Sequence, residues 1–461
     1  MNKASHLIFD GLHRNQAQNP YAFYGEGCSP TILDKLVKFF DKHSDELEEI
    51  TVSCYLFNNL ILANKLRKLA STGVTVNVVS IPLEGYDLKA TSNNDFYSFF
   101  TNTPCIPVKA SRSKADFAQR IYQHCQVSNG VNLHIFDHVY LRSERVKEFS
   151  RGRVPFSLHI KSLLIKMRDG ISYSVLTSSN LALRDLMKEE LCLIVKNSQA
   201  DYAYSQYFYQ QLIENSKHIS DMNLSTETDY SHYIEPRTPV NQQALNSVSS
   251  SANDDRNVFF TAPFLPNSNQ QIEAKIRQKI ATAKRRVIIC AQHINTFDAE
   301  LKQAMSASDG NLNIQILSQT YVDETLRDES NGGRFPKYTV QVSGRSVPTR
   351  VPSNKKSFLD FVGQLKGKLR CQYYYNPDIH LKFIVMDDDV VISTGNFTST
   401  QFIYEPIDIK RFNNFEGSYK GTFSEVNGYY FADDAADTAR TLQRHFECLI
   451  GLKGTVQVIS E

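Results

Sequence analysis

Between Tyr21 and about Asp87 the apolar positions switch between a strand-like and a helix-like period, and the order they spell is strand, helix, strand, helix, strand. A short aromatic run, YAFYGEG, comes first. The stretch from Ser29 to Glu48 then sets Leu33, Leu36, Val37, Phe39 and Phe40 at the spacing of one helix face. Ser29 and Pro30 suit its start, because a Ser oxygen caps free N–H groups and the fixed φ of Pro fits a first turn. ITVSCYLFN follows as a β-rich run, then a helix from about Leu60 to Ala70 closed by Gly73, then VTVNVVSIPL. Strands separated by helices predict a parallel sheet with helical crossovers.

The same succession returns from Asn257: NVFFTAPF, the amphipathic SNQQIEAKIRQKIATAK, RRVIICAQHIN, a weaker helix around Ala299 to Met305, and NLNIQILSQTY. Its long helix also begins at a Ser or Asn and ends in Lys and Arg, which complements the helix dipole. The chain therefore reads as two copies of one α/β unit, 1–215 and 257–461. The Ser/Asn/Thr-rich stretch 216–256 has little periodicity and reads as their linker. A second irregular stretch, about Asp323 to Ser357, reads as an active-site loop or lid.

A length of 461 residues suits such a pair, and 41% hydrophobic with 22% charged residues is ordinary for a globular protein. The net charge of +2 supplies no large basic field, so only a local groove could serve nucleic acid. Eight cysteines are scattered without a C-x-x-C pair, and Cys54 and Cys290 sit inside apolar runs, where Cys behaves as a small hydrophobe. Neither a zinc site nor a disulfide framework is indicated. The first residues, MNKASHLIFDGLHRNQ, lack the apolar stretch of a secretion signal, and no run reaches the length of a membrane span. The expectation is a cytoplasmic protein.

Late in each unit, a strand-like run carries a His, one spacer and a Lys, then a turn, another strand and a small-residue turn ending in Asn. HIKSLLIKMRDGISYSVLTSSN gives His159, Lys161 and Asn180, and HLKFIVMDDDVVISTGN gives His380, Lys382, Asp387 and Asn396. Strand alternation puts the His and Lys of H-x-K on one face. The hairpin then brings Ser178, Ser179 and Asn180, or Thr394, Gly395 and Asn396, back beside them. One H-x-K arises easily by chance, and a lone strand His is more often structural. Two copies at the same place in two copies of one unit are hard to assign to packing. The grouping suits phosphoryl chemistry: a neutral imidazole attacks phosphorus, while Lys and Asn hold the non-bridging oxygens as charge develops. A second His protonates the leaving oxygen and then activates water, and neither step needs a metal or a cofactor.

At these residues the chain resembles the phospholipase D superfamily, marked by a duplicated H-x-K-x4-D motif followed by a Gly/Ser turn and Asn. The second copy is in register through Asp387. In the first, Lys166 stands at the Asp position and the interval to Asn180 is longer. That first motif is similar to the tyrosyl-DNA phosphodiesterase branch, although the second keeps its Asp, which the family uses chiefly for structure. The resemblance implies an α/β fold of two pseudo-symmetric repeats, each a mostly parallel mixed sheet flanked by helices, sharing one central active site. It implies His159 as nucleophile and His380 as acid, with the reverse order open. It also implies a Glu or Gln at the start of the strand after each motif to orient an imidazole. Glu190 in KEELCLIV and Glu425 in SEVNGYYF fit, and Glu189 is an alternative to Glu190. Either Glu alone reads equally well as a solvated charge at a strand end.

His134, His138 and His293 lie in or just after strand runs and read as packed or hydrogen-bonded rather than catalytic. Lys355, Lys356, Lys366, Lys368 and Arg370 form a positive tract before Tyr373, Tyr374 and Tyr375. Two readings stand: a solvated helix face, or a groove that tracks a phosphate backbone while Tyr375 and its neighbours stack bases. The expected function is a metal-independent nuclease or nucleic-acid end-processing phosphodiesterase acting on DNA, with a helicase or ATPase as the kind of partner that would feed it. The alternatives are a phospholipase D or phosphatidyltransferase acting on phospholipids, and an inactive module that binds nucleic acid or protein.

Overall fold

The computed structural model describes residues 5–11, 31–55, 57, 59–80, 130–136, 158–181, 188–218, 256–262, 264–265, 267–308, 310–319, 337–342, 345–350, 361, 363–365, 371–376, 378–402, 411–412, 415–416, 425–452 and 455–459. In chain order the first eight strands are β1 (Ser5–Asp10), β2 (Leu47–Cys54), β3 (Thr75–Ser80), β4 (Val131–Ile135), β5 (Lys161–Met167), β6 (Ser172–Thr177), β7 (Glu190–Lys196) and β8 (Lys217–His218). They form one sheet in the order β1-β7-β6-β5-β2-β3-β4-β8. Helix α1 (Thr31–Lys42) precedes β2, and α2 (Leu60–Ser71) links β2 to β3. Their apolar faces, with Leu36, Phe40, Leu62 and Leu66, pack on Ile50, Val52, Val76, Val78 and Leu163 in one core. Asn59 caps α2 by accepting from the N–H groups of Ile61 and Leu62, and Gly73 ends it at a φ of 92°.

Helix α3 (Gln199–Glu214) lies on the other face of β5. There Ser162, which alternates with Lys161, meets the Tyr209 hydroxyl at 2.5 Å. At the start of α3, Ser198 and Asp201 form a reciprocal capping box. The other Asp201 oxygen accepts from the backbone N–H groups of Asn257 at 2.6 Å and Val258 at 3.0 Å.

The second sheet repeats the plan. Its strands are β9 (Val258–Thr261), β10 (Arg286–Ala291), β11 (Asn313–Ser318), β14 (Cys371–Tyr375), β15 (Phe383–Met386), β16 (Asp389–Ser393), β19 (Asn427–Ala432) and β20 (Val456–Ile459), in the order β20-β14-β11-β10-β15-β16-β19-β9. The long helices here are α4 (Ser268–Thr282), α5 (Asp298–Ala307) and α6 (Ala436–Ile450). Between β11 and β14, β12 (Lys337–Val342) and β13 (Arg345–Arg350) pair antiparallel, so the stretch read as a loop holds a two-stranded ribbon. A smaller pair, β17 (Arg411–Phe412) and β18 (Phe415–Glu416), precedes β19.

The fold is α/β with two mixed sheets flanked by helices. Parallel pairing runs through β2-β3-β4 in one sheet and β10-β11-β14 in the other. The H-x-K segments open tight hairpins, β5-β6 and β15-β16, and a tight hairpin pairs only antiparallel. The run YAFYGEG lies outside the described residues, and the strand before α1 is Ser5–Asp10. Helix α1 stops at Lys42, short of Glu48, because Leu47 is already buried as the first residue of β2.

By contact the chain divides into one unit of Met1–Met187, Leu191–Asn269 and Ile403–Gly428, and another of Lys188–Glu190, Gln270–Phe402 and Tyr429–Glu461. The three residues 188–190 thus join the second unit, and 403–428 joins the first. Of the expected linker, Lys217–His218 pairs with β4 as β8, and 219–255 lies outside the described residues.

Asp387, the motif Asp, takes a structural position. It turns the β15-β16 hairpin at a φ of 54° and accepts from the N–H groups of Lys284, Arg285 and Arg286 at 2.9, 2.8 and 3.0 Å. In the first unit Lys166 instead meets Glu48 at 2.6 Å, and the Arg168 N–H donates to the Glu46 carbonyl. Burial raises the Asp387 pKa, but the three N–H donors and Arg285 outweigh it and hold the carboxyl below its ordinary range. A depressed folded pKa means this stabilisation is complete above the ordinary carboxylate range and fades as pH falls through the lower folded value. Asp387→Asn keeps a residue that tolerates positive φ but turns an amide toward the donors. The expected cost is about 1–2 kcal/mol at pH 7. Chemical unfolding across pH is expected to show this difference shrinking below about pH 4.

Candidate active site

In the first unit, Leu158 forms a parallel bridge to Val426, and the His159 N–H donates to the Val426 carbonyl at 3.1 Å. This sets the His159 Nδ1 3.1 Å from the Glu425 carboxylate, with the imidazole partly exposed. In the second unit, Ile379 bridges in parallel to Glu189, whose carbonyl accepts from the N–H groups of His380 and Leu381. Here His380 Nδ1 lies 2.6 Å from the Glu190 carboxylate, which is buried. Each histidine is therefore met by a Glu from the strand after the other repeat's motif. Glu190, not Glu189, faces the imidazole. Glu189 instead acts on Cys290, whose thiol is pushed well up by burial first and by that carboxylate second.

The two lysines occupy matching places. Lys161 and Lys382 have no exposed surface, and each Nζ donates to the carbonyl of its own motif histidine. That bond uses one of three ammonium donors.

The small-residue turns also correspond. The Ser179 N–H donates to Thr177 Oγ1 at 3.1 Å, as the Gly395 N–H does to Ser393 Oγ at 2.9 Å. Each turn carries its Asn, buried, past the end of the hairpin. Ser178 Oγ accepts from the Leu191 N–H, and Ser179 Oγ from the Leu181 N–H, so both hydroxyls hold the turn. Asn396 Oδ1 accepts from the His293 backbone N–H at 3.3 Å, which orients its NH2 group away from that amide. Thr394 is buried in the same turn. The first hairpin is five residues longer, which accounts for the longer interval to Asn180.

Several expectations change. Tyr375 and Tyr373 are fully buried in β14, so neither offers a face to a base, and burial pushes the Tyr373 phenol well up. Tyr374 packs edge-on against Phe446. Stacking by this triplet is thereby withdrawn, and the five basic residues before it lie outside the described residues. His134 stacks edge-on with His218 across β4-β8, and burial, with His218 second, lowers it to about 4. His138 lies outside the described residues. Cys192 and Cys371 are buried, which pushes both thiols up to about 12. Sequence reading missed Tyr55, whose ring lies edge-on to His159. Its one signal is that it follows β2, the strand paired with β5.

Among the described residues, no helix is long and apolar enough to cross a membrane, and no three His, Cys, Asp or Glu side chains group as a metal site would. No family model matches the chain, and no curated protein does. Solved structures do. The phosphatidylserine synthase of Haemophilus influenzae superposes with a TM-score of 0.50 at 11% identity, over 92% of this chain and 85% of that one. The fold is that of the phospholipase D superfamily. A yeast tyrosyl-DNA phosphodiesterase gives 0.41 at 10% identity over 92% and 89%. The polyphosphate kinase of Porphyromonas gingivalis gives 0.46 at 10%, and the chain spans 48% of its length.

Within this phospholipase D fold, the strand bearing Glu425 comes very close to the hairpin bearing His159. A Cβ on Gly428 would stand 2.8 Å from Leu176 Cδ2, 3.4 Å from Phe260 Cε1 and 3.5 Å from Ile160 Cδ1, and Ile160 is the spacer of the motif. All three are core atoms with little room to retreat. Gly428→Ala is expected to cost about 1–3 kcal/mol by overpacking, and Gly428→Val more, read as a fall in the unfolding midpoint. An unchanged midpoint in the Val variant would refute the close approach.

Proposed function

We propose that this chain is a metal-independent phosphodiesterase acting on nucleic acid, DNA in the first instance, through a phosphohistidine intermediate. The observation that carries the reading is that both motif histidines present Nδ1 to a carboxylate. A carboxylate only accepts, so at His380 Nδ1 holds the proton and Nε2 keeps the lone pair, and the approach of Glu425 within 3.1 Å is proposed to favour the same tautomer at His159. The same carboxylates stabilise the imidazolium formed during turnover.

In-line displacement needs a nucleophile and an acid on opposite sides of one phosphorus, and the proposal assigns one to each half-site. His159 Nε2 bonds to phosphorus as the P–O bond of the leaving group breaks, and His380 gives that oxygen its proton. His380 then takes a proton from water, the water oxygen bonds to phosphorus, and the P–N bond breaks to free His159. Lys161, Lys382, Asn180 and Asn396 are proposed to hold the non-bridging oxygens. The intact His, Lys and Asn of both halves, each His with its Glu, weigh against an inactive binding module. For the substrate class, the positive tract from Lys355 to Arg370 favours a polyanionic strand over a lipid headgroup.

Two experiments test this. Plasmid DNA, oligonucleotides, RNA and phospholipid vesicles are each assayed with EDTA, and turnover of nucleic acid is expected to persist. Complete loss restored by Mg²⁺ rejects the metal-free reading, and turnover of vesicles alone reassigns the substrate to lipid. With an activated leaving group the first step no longer needs an acid. His380→Asn is therefore expected to accumulate a phosphoramidate, acid-labile and base-stable, on the peptide bearing His159. His159→Ala is expected to form none. An adduct on His380 reverses the roles. No adduct, with inversion at a chiral phosphorothioate, removes the two-step mechanism.

A further inference from the structure

The net charge of +2 conceals an uneven distribution. Residues 331–359 hold Arg334, Lys337, Arg345, Arg350, Lys355 and Lys356 and no Asp or Glu, so the rest of the chain is net negative. Within that stretch lies the antiparallel ribbon of β12 and β13, with only residues 343 and 344 between its strands. Its register sets Lys337 opposite Arg350, Thr339 opposite Pro348 and Gln341 opposite Ser346, and strand alternation puts these six on one face. The other face takes Tyr338, Val340, Val342, Val347 and Thr349, with Arg345 next to the turn. One face is thus polar and cationic, the other largely apolar. The crossover that carries the ribbon leaves β11 at its C-terminal end, where the Gln319 N–H donates to the Gln292 carbonyl and the N–H of the following His293 donates to Asn396 at 3.3 Å. Ligands of open α/β sheets bind at that end of the parallel strands. Buried Phe361 and Leu365 bring the crossover back to the core before β14.

We propose that this ribbon is a grip for duplex DNA, lying along the major groove with its cations at the flanking phosphates. The proposal rests on the nucleic-acid reading of the active site and adds to it the form of the substrate. Two like charges directly opposite each other on one face, as Lys337 and Arg350 are, destabilise a strand pair, and an anion set between them relieves the repulsion. A stretch with six cations and no acid suits a polyanion in the same way. A two-stranded ribbon is marginal alone in water, so its apolar face needs cover from protein, which leaves the polar face for a hydrated, charged ligand. The shape agrees. The B-form major groove admits a two-stranded ribbon, whereas that of an A-form RNA duplex is too deep and narrow.

The test is binding by the full-length protein with EDTA, in the His159→Ala background so that strands stay whole. Fluorescence anisotropy of a short mixed-sequence DNA duplex, the matching RNA duplex and one DNA single strand is read against salt concentration. On B-form DNA the slope of log affinity against log salt is about −0.9 per neutralised phosphate. Changing Lys337, Arg345 and Arg350 together to Gln is expected to flatten the duplex-DNA slope by about two to three units. Lys337→Arg with Arg345→Lys and Arg350→Lys is expected to hold it. The RNA duplex and the single strand are expected to lose less than about one unit. An unfolding midpoint equal to that of the parent reports that the Gln variant is folded; if it falls, replacing residues 337–350 by a Gly-Ser link reads the same slope without the ribbon. An unchanged duplex-DNA slope overturns the proposal, as does an equal loss on all three ligands, which marks a general phosphate contact. A ribbon-dependent slope in a protein that cuts no nucleic acid with His159 restored keeps the grip and rejects the proposed activity. Cleavage of DNA with a ribbon-independent slope does the reverse.

Discussion

Each motif imidazole is held by a carboxylate that arrives from a remote part of the chain, and much of the local architecture serves that delivery. His380 and Glu190 are 190 positions apart, and Glu190 opens β7 in the first sheet while its side chain serves the second unit. Glu425 approaches His159 in the same way through the segment leading into β19. A carboxylate as buried as Glu190 is costly unless a partner and hydrogen bonds meet it, so the start of β7 is tied to the His380 segment. The parallel bridges Leu158 to Val426 and Glu189 to Ile379 are the backbone form of this constraint. A repeat completes its histidine only with residues from the other repeat's sequence.

Lys161 and Lys382 follow from the same plan. A fully buried ammonium is unfavourable without acceptors, and the histidine carbonyl two residues earlier on the same strand supplies one for each. The H-x-K spacing therefore does more than align two side chains on one face. It lets the backbone of the first residue orient the charge of the second.

The repeat, most element positions and the H-x-K pairs were legible in the sequence because they are local: apolar period, capping residues and turn chemistry act within a few positions. Gly73 at the end of α2 is read correctly on that basis. Glu190 was legible as a strand-initial acid and Glu425 as an acid just before a strand, but not their exchange between repeats, since nothing local records which histidine a strand start will face. The same limit hid β1, whose six residues SHLIFD are too short to announce a sheet edge. Tyr375 misled for a related reason: CQYYY alternates, and only the packing around β14 shows which rings point inward. Asp387 shows the converse, since its structural role follows from three N–H donors about a hundred positions away on the segment opening β10.

Asp201 has one further consequence. With one oxygen it caps α3, and with the other it grips the backbone at Asn257 and Val258, while Lys217–His218 fastens the far end of α3 to β4. The chain leaving the first repeat and the chain beginning the second are thus each moored to the same body, a few residues from where the Ser/Asn-rich connection starts and stops. Changes of length or composition in the residues between those two moorings are therefore expected to leave the Asp201 and β8 contacts of the first unit in place.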